Sequence, residues 1–165
     1  MARPNPIRHI MESPLPSATY QRRKSFRPSL HDINYAYNII NKYVFDNALV
    51  RPYLHQGIMR KTWGYCQWHV EPQQTGSYCS IKLSDKWFCP QWFMNILAHE
   101  MVHQYQWDVH RHEYIRSYGK DMHSKSNGHG PSFYAWRDRF EYYGLNLKVS
   151  FSQRRWFKYQ DFNKS

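Results

Sequence analysis

Two histidines flank a glutamate in the segment His99-Glu100-Met101-Val102-His103. This is an H-E-x-x-H sequence, and residues four apart on a helix share a face, so both imidazoles can reach one ion. Zinc takes a tetrahedral set of nitrogen, sulfur or carboxylate ligands, and a catalytic site keeps one position for water. The segment therefore predicts a Zn²⁺ site held by His99 and His103, with Glu100 as the base that takes a proton from that water.

A third ligand must come from outside this segment. The longer pattern H-E-x-x-H-x-x-G-x-x-H does not fit, because Gln106 occupies its glycine position and its last histidine would fall at residue 109. Glu113 is an alternative carboxylate ligand, although no helical register relates it to the segment. His129 is favoured, because glycines on both sides allow a close backbone approach and a helix follows; the alternative is a surface histidine. Three further histidines are interpreted as surface or loop residues that could touch substrate: His110, His112 and His123.

Three main helices are predicted around these residues. Apolar side chains at helical spacing follow a capping-box pattern, which predicts a first helix over about residues 30–45. A second helix begins at a proline and carries the H-E-x-x-H segment over about residues 90–107, and a third runs over about residues 131–144. Residues 108–130 indicate a long polar connection that holds a short helical piece near residues 111–118.

Alternating apolar and polar residues predict the strands. Residues 62–69 and 78–84 suit strands, and the Glu-Pro-Gln-Gln-Thr-Gly link between them favours a hairpin. Residues 145–151 alternate in the same way and predict a last strand. The expected fold class is α+β, with about three main helices packed on a small antiparallel sheet.

The composition favours a single folded domain with a basic surface. The chain has 165 residues, of which 41% are hydrophobic and 18% aromatic, enough to bury one core. The formal charge of +11, from 23 Lys and Arg against 12 Asp and Glu, favours polyanionic partners such as nucleic acid. The alternative is a basic surface that serves solubility alone.

Three further observations concern the compartment. No stretch approaches the roughly 20 apolar residues of a membrane span, and the first residues lack the apolar core of a secretory signal. Cys66, Cys79 and Cys89 form an odd set without CxxC spacing, which indicates reduced, buried thiols rather than a disulfide framework. We therefore expect a soluble intracellular protein, located in the cytoplasm or wherever DNA resides, with no membrane partner.

Cations gather at both ends of the chain. Residues 1–28 are rich in proline and indicate a flexible basic arm, and residues 153–165 form a basic, aromatic tail. Cations mixed with aromatic rings can neutralise phosphates and stack on bases, although a packed strand with exposed charges is the alternative for the tail. The candidate DNA-binding residues are Arg22, Arg23, Lys24, Arg154, Arg155, Trp156 and Lys158.

The chain resembles the SprT-like zinc metalloproteases, which include the Spartan-type DNA-protein crosslink proteases. The resemblance spans about residues 30–150 and rests on three pieces: Leu97-Ala98-His99-Glu100-Met101-Val102-His103, Gly128-His129-Gly130-Pro131-Ser132-Phe133 and Tyr78-Cys79-Ser80-Ile81-Lys82-Leu83-Ser84. It implies a compact zincin-like protease domain, placed at residues 29–152, whose third zinc ligand is His129. It also implies that proteins bound or crosslinked to DNA are cleaved and that single-stranded or duplex DNA promotes cleavage.

Two other functions fit the same residues. One is a DNA-binding module that keeps a structural zinc and has no protease activity, which the charge favours and an intact Glu100 disfavours. The other is a general intracellular peptidase that acts independently of DNA. Stimulation of cleavage by DNA, and its loss as salt rises, would distinguish a protease directed to DNA from this general peptidase.

Overall fold

The computed structural model describes residues 5–12, 26–110 and 129–148. Within these ranges the chain forms five helices and three strands. In chain order they are α1 (Pro6–Glu12), α2 (Leu30–Tyr43), β1 (Tyr53–Gly57), β2 (Gly64–Trp68), β3 (Cys79–Ser84), α3 (Pro90–Asp108), α4 (Pro131–Tyr134) and α5 (Arg137–Tyr142). The predicted fold class, α+β with helices on a small sheet, is confirmed.

The two long helices begin where the sequence predicts. Ser29 Oγ accepts the Asp32 amide at 3.1 Å and the Asp32 carboxylate accepts the Ser29 amide at 2.9 Å, a complete capping box for α2. Pro90 lies in the first turn of α3, where no intrahelical bond needs its missing N–H. Fourteen of the nineteen residues of α3 are buried, so α3 is the central helix and its histidines point into the protein.

The sheet is mixed, with strand order β1-β3-β2. The predicted hairpin is confirmed, because β2 pairs with β3 in antiparallel register. The predicted antiparallel pairing does not extend to β1, which pairs with β3 in parallel. The sequence gives little sign of β1, because Leu54 is the one buried residue of that strand.

One face of the sheet packs against the helices, and the other faces solvent. Leu54, Ile81 and Leu83 lie on the inner face and join the core under α2 and α3. The outer face carries Tyr53 and Tyr65, whose exposed fractions are 60% and 41%. None of the described helices is long and apolar enough to span a membrane.

Part of the predicted N-terminal arm is helical and packed. Asn5 Oδ1 accepts the amides of Ile7 and Arg8 at 3.1 and 3.2 Å and so caps α1. Ile7 is fully buried and Met11 nearly so, because α1 packs on α2 and α3. Residues 6–12 of the segment predicted as a flexible basic arm therefore form a packed helix. The candidate DNA-binding residues of the arm, Arg22, Arg23 and Lys24, lie outside the described residues.

The predicted third helix is divided in two. The division falls at Ala135 and Trp136, where the Trp136 amide donates to the Phe133 carbonyl, three residues back, at 3.3 Å. The Trp136 ring packs 4.6 Å from Phe45 and 4.7 Å from Tyr105, measured between ring centroids. The segment ends as predicted at Gly144, whose φ of +80° lies in the left-handed region that glycine adopts without strain.

The predicted last strand is not a strand at residues 145–148, the part that is described. Its side chains alternate as expected, because Leu145 and Leu147 are buried. However, the Asn146 amide donates to Asn95 Oδ1 on α3 at 2.6 Å rather than to a strand. The rest of that strand, the predicted helical piece at 111–118 and the whole C-terminal tail lie outside the described residues.

Candidate metal centre

The three histidines singled out by the sequence converge. His99 and His103 project from one face of α3, and His129 lies just before α4. The Nε2 atom of His103 lies 3.2 Å from the Nε2 atoms of both His99 and His129, which are 3.3 Å from each other. These nitrogens form a nearly equilateral triangle that could hold one metal ion.

The hydrogen bonds of two rings fix which nitrogen faces the triangle. His99 Nδ1 lies 2.8 Å from the carbonyl oxygen of Lys148, which only accepts, so His99 Nδ1 carries the proton. His103 Nδ1 lies 2.8 Å from Gln106 Oε1 and is protonated for the same reason. Two Nε2 lone pairs are therefore aimed at one point from 3.2 Å apart. A cation at that point relieves their repulsion.

Burial keeps these rings neutral, which is the form that a metal requires. Burial lowers the pKa of His99 well below its usual value, and the neighbouring His103 and His129 lower it further. Burial also lowers the pKa of His103 to about 4, against a smaller opposing effect of its hydrogen bond with Gln106. Both rings are ready to act as ligands at neutral pH.

Glu100 lies beside the triangle. Its Oε1 is 4.0 Å from His99 Nε2, and its side chain is buried. Burial raises the pKa of Glu100 to about 8, while a hydrogen bond with the backbone of Cys66 on β2 opposes that rise. A cation in the triangle would favour the ionised carboxylate. Strand β2 thus fixes the one acidic side chain that the described structure places next to the three nitrogens.

Phe133 forms an apolar wall of the site. Its fully buried ring lies 4.9, 5.2 and 4.8 Å, between centroids, from the rings of His99, His103 and His129. One side chain from α4 therefore packs against all three histidines, which restricts their rotation and excludes water from that side.

Some participants were not predicted from the sequence. The carbonyl of Lys148 and the amide of Cys66 are backbone groups, so no side-chain pattern reports them. Gln106 could have been found, because it lies three residues after His103 and hence on the same helical face.

Of the remaining candidates, one lies within the described ranges, and it is outside the triangle: His110. The ring of His110 packs against Tyr105, with centroids 5.0 Å apart. Several residues lie outside the described ranges: Glu113, His112, His123, Arg154, Arg155, Trp156 and Lys158.

The fold and the site define an α+β domain with a three-histidine group suited to a metal. Residues 33–153 match the sequence model of the SprT-like family. The match covers well over half of the chain, so the chain belongs to the SprT-like family. A search of curated proteins found no match. Family membership indicates a metalloprotease-like domain, in agreement with a histidine group that could hold a metal ion.

Proposed function

We propose that this protein is a zinc metalloendopeptidase that cleaves proteins bound or crosslinked to DNA. The peptidase part of the proposal rests above all on the triangle of His99, His103 and His129 with Glu100 beside it. Membership of the SprT-like family supports the same reaction class.

The spacing of the three nitrogens supports zinc. Tetrahedral zinc with Zn–N distances of about 2.0–2.1 Å requires ligand nitrogens about 3.3 Å apart. The observed separations are 3.2, 3.2 and 3.3 Å. Neutral imidazoles also suit zinc better than the hard cations Ca²⁺ and Mg²⁺, which prefer oxygen ligands.

The residues divide the work of hydrolysis. His99, His103 and His129 would hold the zinc ion, which would supply Lewis acidity toward a peptide carbonyl and water. Glu100 accepts the proton of the attacking water and passes it to the leaving amine. The Cys66 backbone holds the Glu100 carboxylate, and Lys148 and Gln106 keep the Nδ1 protons of two ligands away from the reacting atoms.

A structural zinc is the alternative for the same triangle. Structural sites close all four positions with protein ligands, whereas catalytic sites use three and leave one open. Three His nitrogens meet among the described residues, and the nearest acid, Glu100, lies 4.0 Å from a ligand nitrogen rather than within the triangle. This arrangement favours a catalytic centre.

The DNA part of the proposal rests on charge and on the outer face of the sheet. The chain carries a formal charge of +11. Lys82 on β3 pairs in register with His55 on one side and Tyr65 on the other, so the three share the outer face. No carboxylate of the described residues forms an ion pair with Lys82. A cation beside exposed aromatic rings can bind a phosphate while the rings stack on bases.

The test compares the wild type with Glu100→Gln on a protein bound to DNA. The variant should keep its zinc and lose about 10²–10⁴-fold in cleavage rate, the usual contribution of a general base. Unchanged cleavage by zinc-loaded Glu100→Gln refutes the mechanism. Loss of zinc together with activity points instead to a structural role for Glu100.

A second comparison tests the DNA part separately. Cleavage of the same protein is measured with and without single-stranded and duplex DNA at several salt concentrations. Acceleration that disappears as salt rises is expected, because phosphate contacts weaken with salt. Equal rates with and without DNA favour the general intracellular peptidase.

A further inference from the structure

We propose that Gln106 is a positioning residue that couples two of the three ligand histidines, His103 and His129, through a single amide group. The inference rests on the proposed metal centre and adds a residue to it. Gln106 does not touch the triangle of Nε2 atoms, and it acts through the residues that its amide binds.

The amide oxygen sets the state of His103. Gln106 is almost fully buried, with 2% of its surface exposed, and its Oε1 lies 2.8 Å from His103 Nδ1. The oxygen accepts the Nδ1 proton, which directs the Nε2 lone pair toward the other two histidines. It also fixes the rotation of the ring, because the bond lies in the ring plane.

The amide nitrogen holds the segment that carries His129. Gln106 Nε2 donates to Ser132 Oγ at 2.9 Å. Ser132 lies in the first turn of α4, three residues after His129. One side chain of α3 therefore orients a ligand on its own helix and anchors the loop that delivers a ligand from elsewhere. The oxygen and nitrogen of the amide have separate roles, which a simple packing residue does not require.

Gln104 provides a matched control on the same helix. It is fully buried, but its amide faces away from the metal centre. Its Oε1 accepts the Tyr37 hydroxyl at 2.7 Å, and its Nε2 donates to the Val50 carbonyl at 2.7 Å and to Asp108 at 3.0 Å. Methionine is similar in shape to glutamine, so replacing either residue by methionine removes a buried amide and keeps most of the side-chain volume. The two variants should differ in metal binding rather than in stability.

The experiment measures zinc affinity by competition with a chromophoric chelator, and the visible spectrum of the Co²⁺-loaded protein. Gln106→Met should weaken zinc binding about 10- to 100-fold, the usual effect of losing a partner of a ligand histidine, and should alter the cobalt spectrum. Gln104→Met should keep the wild-type affinity and spectrum. Gln106→Glu retains the acceptor for His103 but lacks the donor to Ser132, so its zinc affinity should lie between those of the wild type and Gln106→Met.

A third variant separates the two halves of the amide. Ser132→Ala leaves the contact between Gln106 and His103 in place and removes the anchor near His129. We expect an affinity between those of the wild type and Gln106→Met. This variant also keeps the proposal testable if Gln106→Met does not fold.

The outcomes distinguish the inference from the proposed function on which it rests. Wild-type protein that binds no zinc overturns both. Tight zinc binding by the wild type, with the same affinity and cobalt spectrum in Gln106→Met, overturns the role of Gln106 alone. An equal loss in Gln104→Met and Gln106→Met also overturns it, because general loosening of α3 would then explain both.

Discussion

Asp108 at the end of α3 is the residue whose loss should loosen the β2–β3 hairpin most. Its carboxylate accepts three hydrogen bonds from oxygen and nitrogen donors: from Ser77 Oγ at 2.6 Å, from the Tyr78 amide at 2.9 Å and from Gln104 Nε2 at 3.0 Å. A weaker fourth comes from Cys79 Sγ at 3.9 Å. Hydrogen bonds to a charged group contribute about 1.5–3 kcal/mol each, so the three stronger ones at the lower limit give roughly 4.5 kcal/mol. Because Asp108 is partly exposed, water can replace some of these hydrogen bonds and reduces the net loss of energy. We expect Asp108→Ala to lower the free energy of unfolding by about 3 kcal/mol.

Urea unfolding of metal-free protein at fixed ionic strength measures this effect. Asp46→Asn is the control, because the bridge from Asp46 to Arg139 is short at 2.7 Å but its side chains are 73% and 40% exposed. Such exposed pairs contribute about 0–1 kcal/mol. If Asp108→Ala destabilises the protein no more than Asp46→Asn does, the buried network does not hold the hairpin to α3.

Three further substitutions test other parts of the account. Phe133→Ala should lower the free energy of unfolding by about 3–5 kcal/mol, measured by urea unfolding. It should also weaken zinc binding, measured by chelator competition. Unchanged zinc affinity would show that the Phe133 ring does not position the histidines. Ile7→Ala should lower the free energy of unfolding by about 2–5 kcal/mol in the same assay, because α1 is packed. A change near zero would instead favour a flexible arm at residues 6–12. Lys82→Gln should weaken binding to a labelled single-stranded oligonucleotide, by fluorescence anisotropy, and lower the salt slope by about one. Lys42→Gln on α2 is its control, and equal effects would contradict a role for the outer sheet face.

Local signals predicted the long helices and most of the candidate site. The capping box at Ser29 and the proline at Pro90 are contained in a few residues each, so they need no tertiary information. The spacing of His99 and His103 follows from helical geometry alone. His129 lies 26 residues after His103, and glycine context and family resemblance directed attention to it.

The elements that sequence analysis missed depend on contacts between distant parts of the chain. α1 is seven residues long, too short to be stable alone, and it owes its helix to burial of Ile7. β1 is an edge strand, and its paired residues on β3 are 27 positions further along the chain, as for Leu54 and Ile81. The local alternation of apolar and polar residues therefore hardly reveals β1. The division between α4 and α5 falls at a three-residue turn bond from the Trp136 amide to the Phe133 carbonyl, which the continuous apolar spacing does not reveal.

The backbone partners of the site were beyond sequence reasoning for a physical reason. The Lys148 carbonyl reaches His99 across 49 residues, and the Cys66 backbone reaches Glu100 from another element. Every residue has a backbone amide and carbonyl except for proline, which lacks the amide proton, so residue type does not mark such a contact.

The zinc content of the purified protein tests directly whether His99, His103 and His129 together hold a zinc ion. The wild type and single alanine variants of His99, His103 and His129 are dialysed against metal-free buffer and measured by plasma mass spectrometry. We expect about one zinc ion per wild-type chain and a large loss in each variant, because three ligands share the ion. A wild type without zinc, or a His129→Ala variant that retains it fully, contradicts the three-histidine centre.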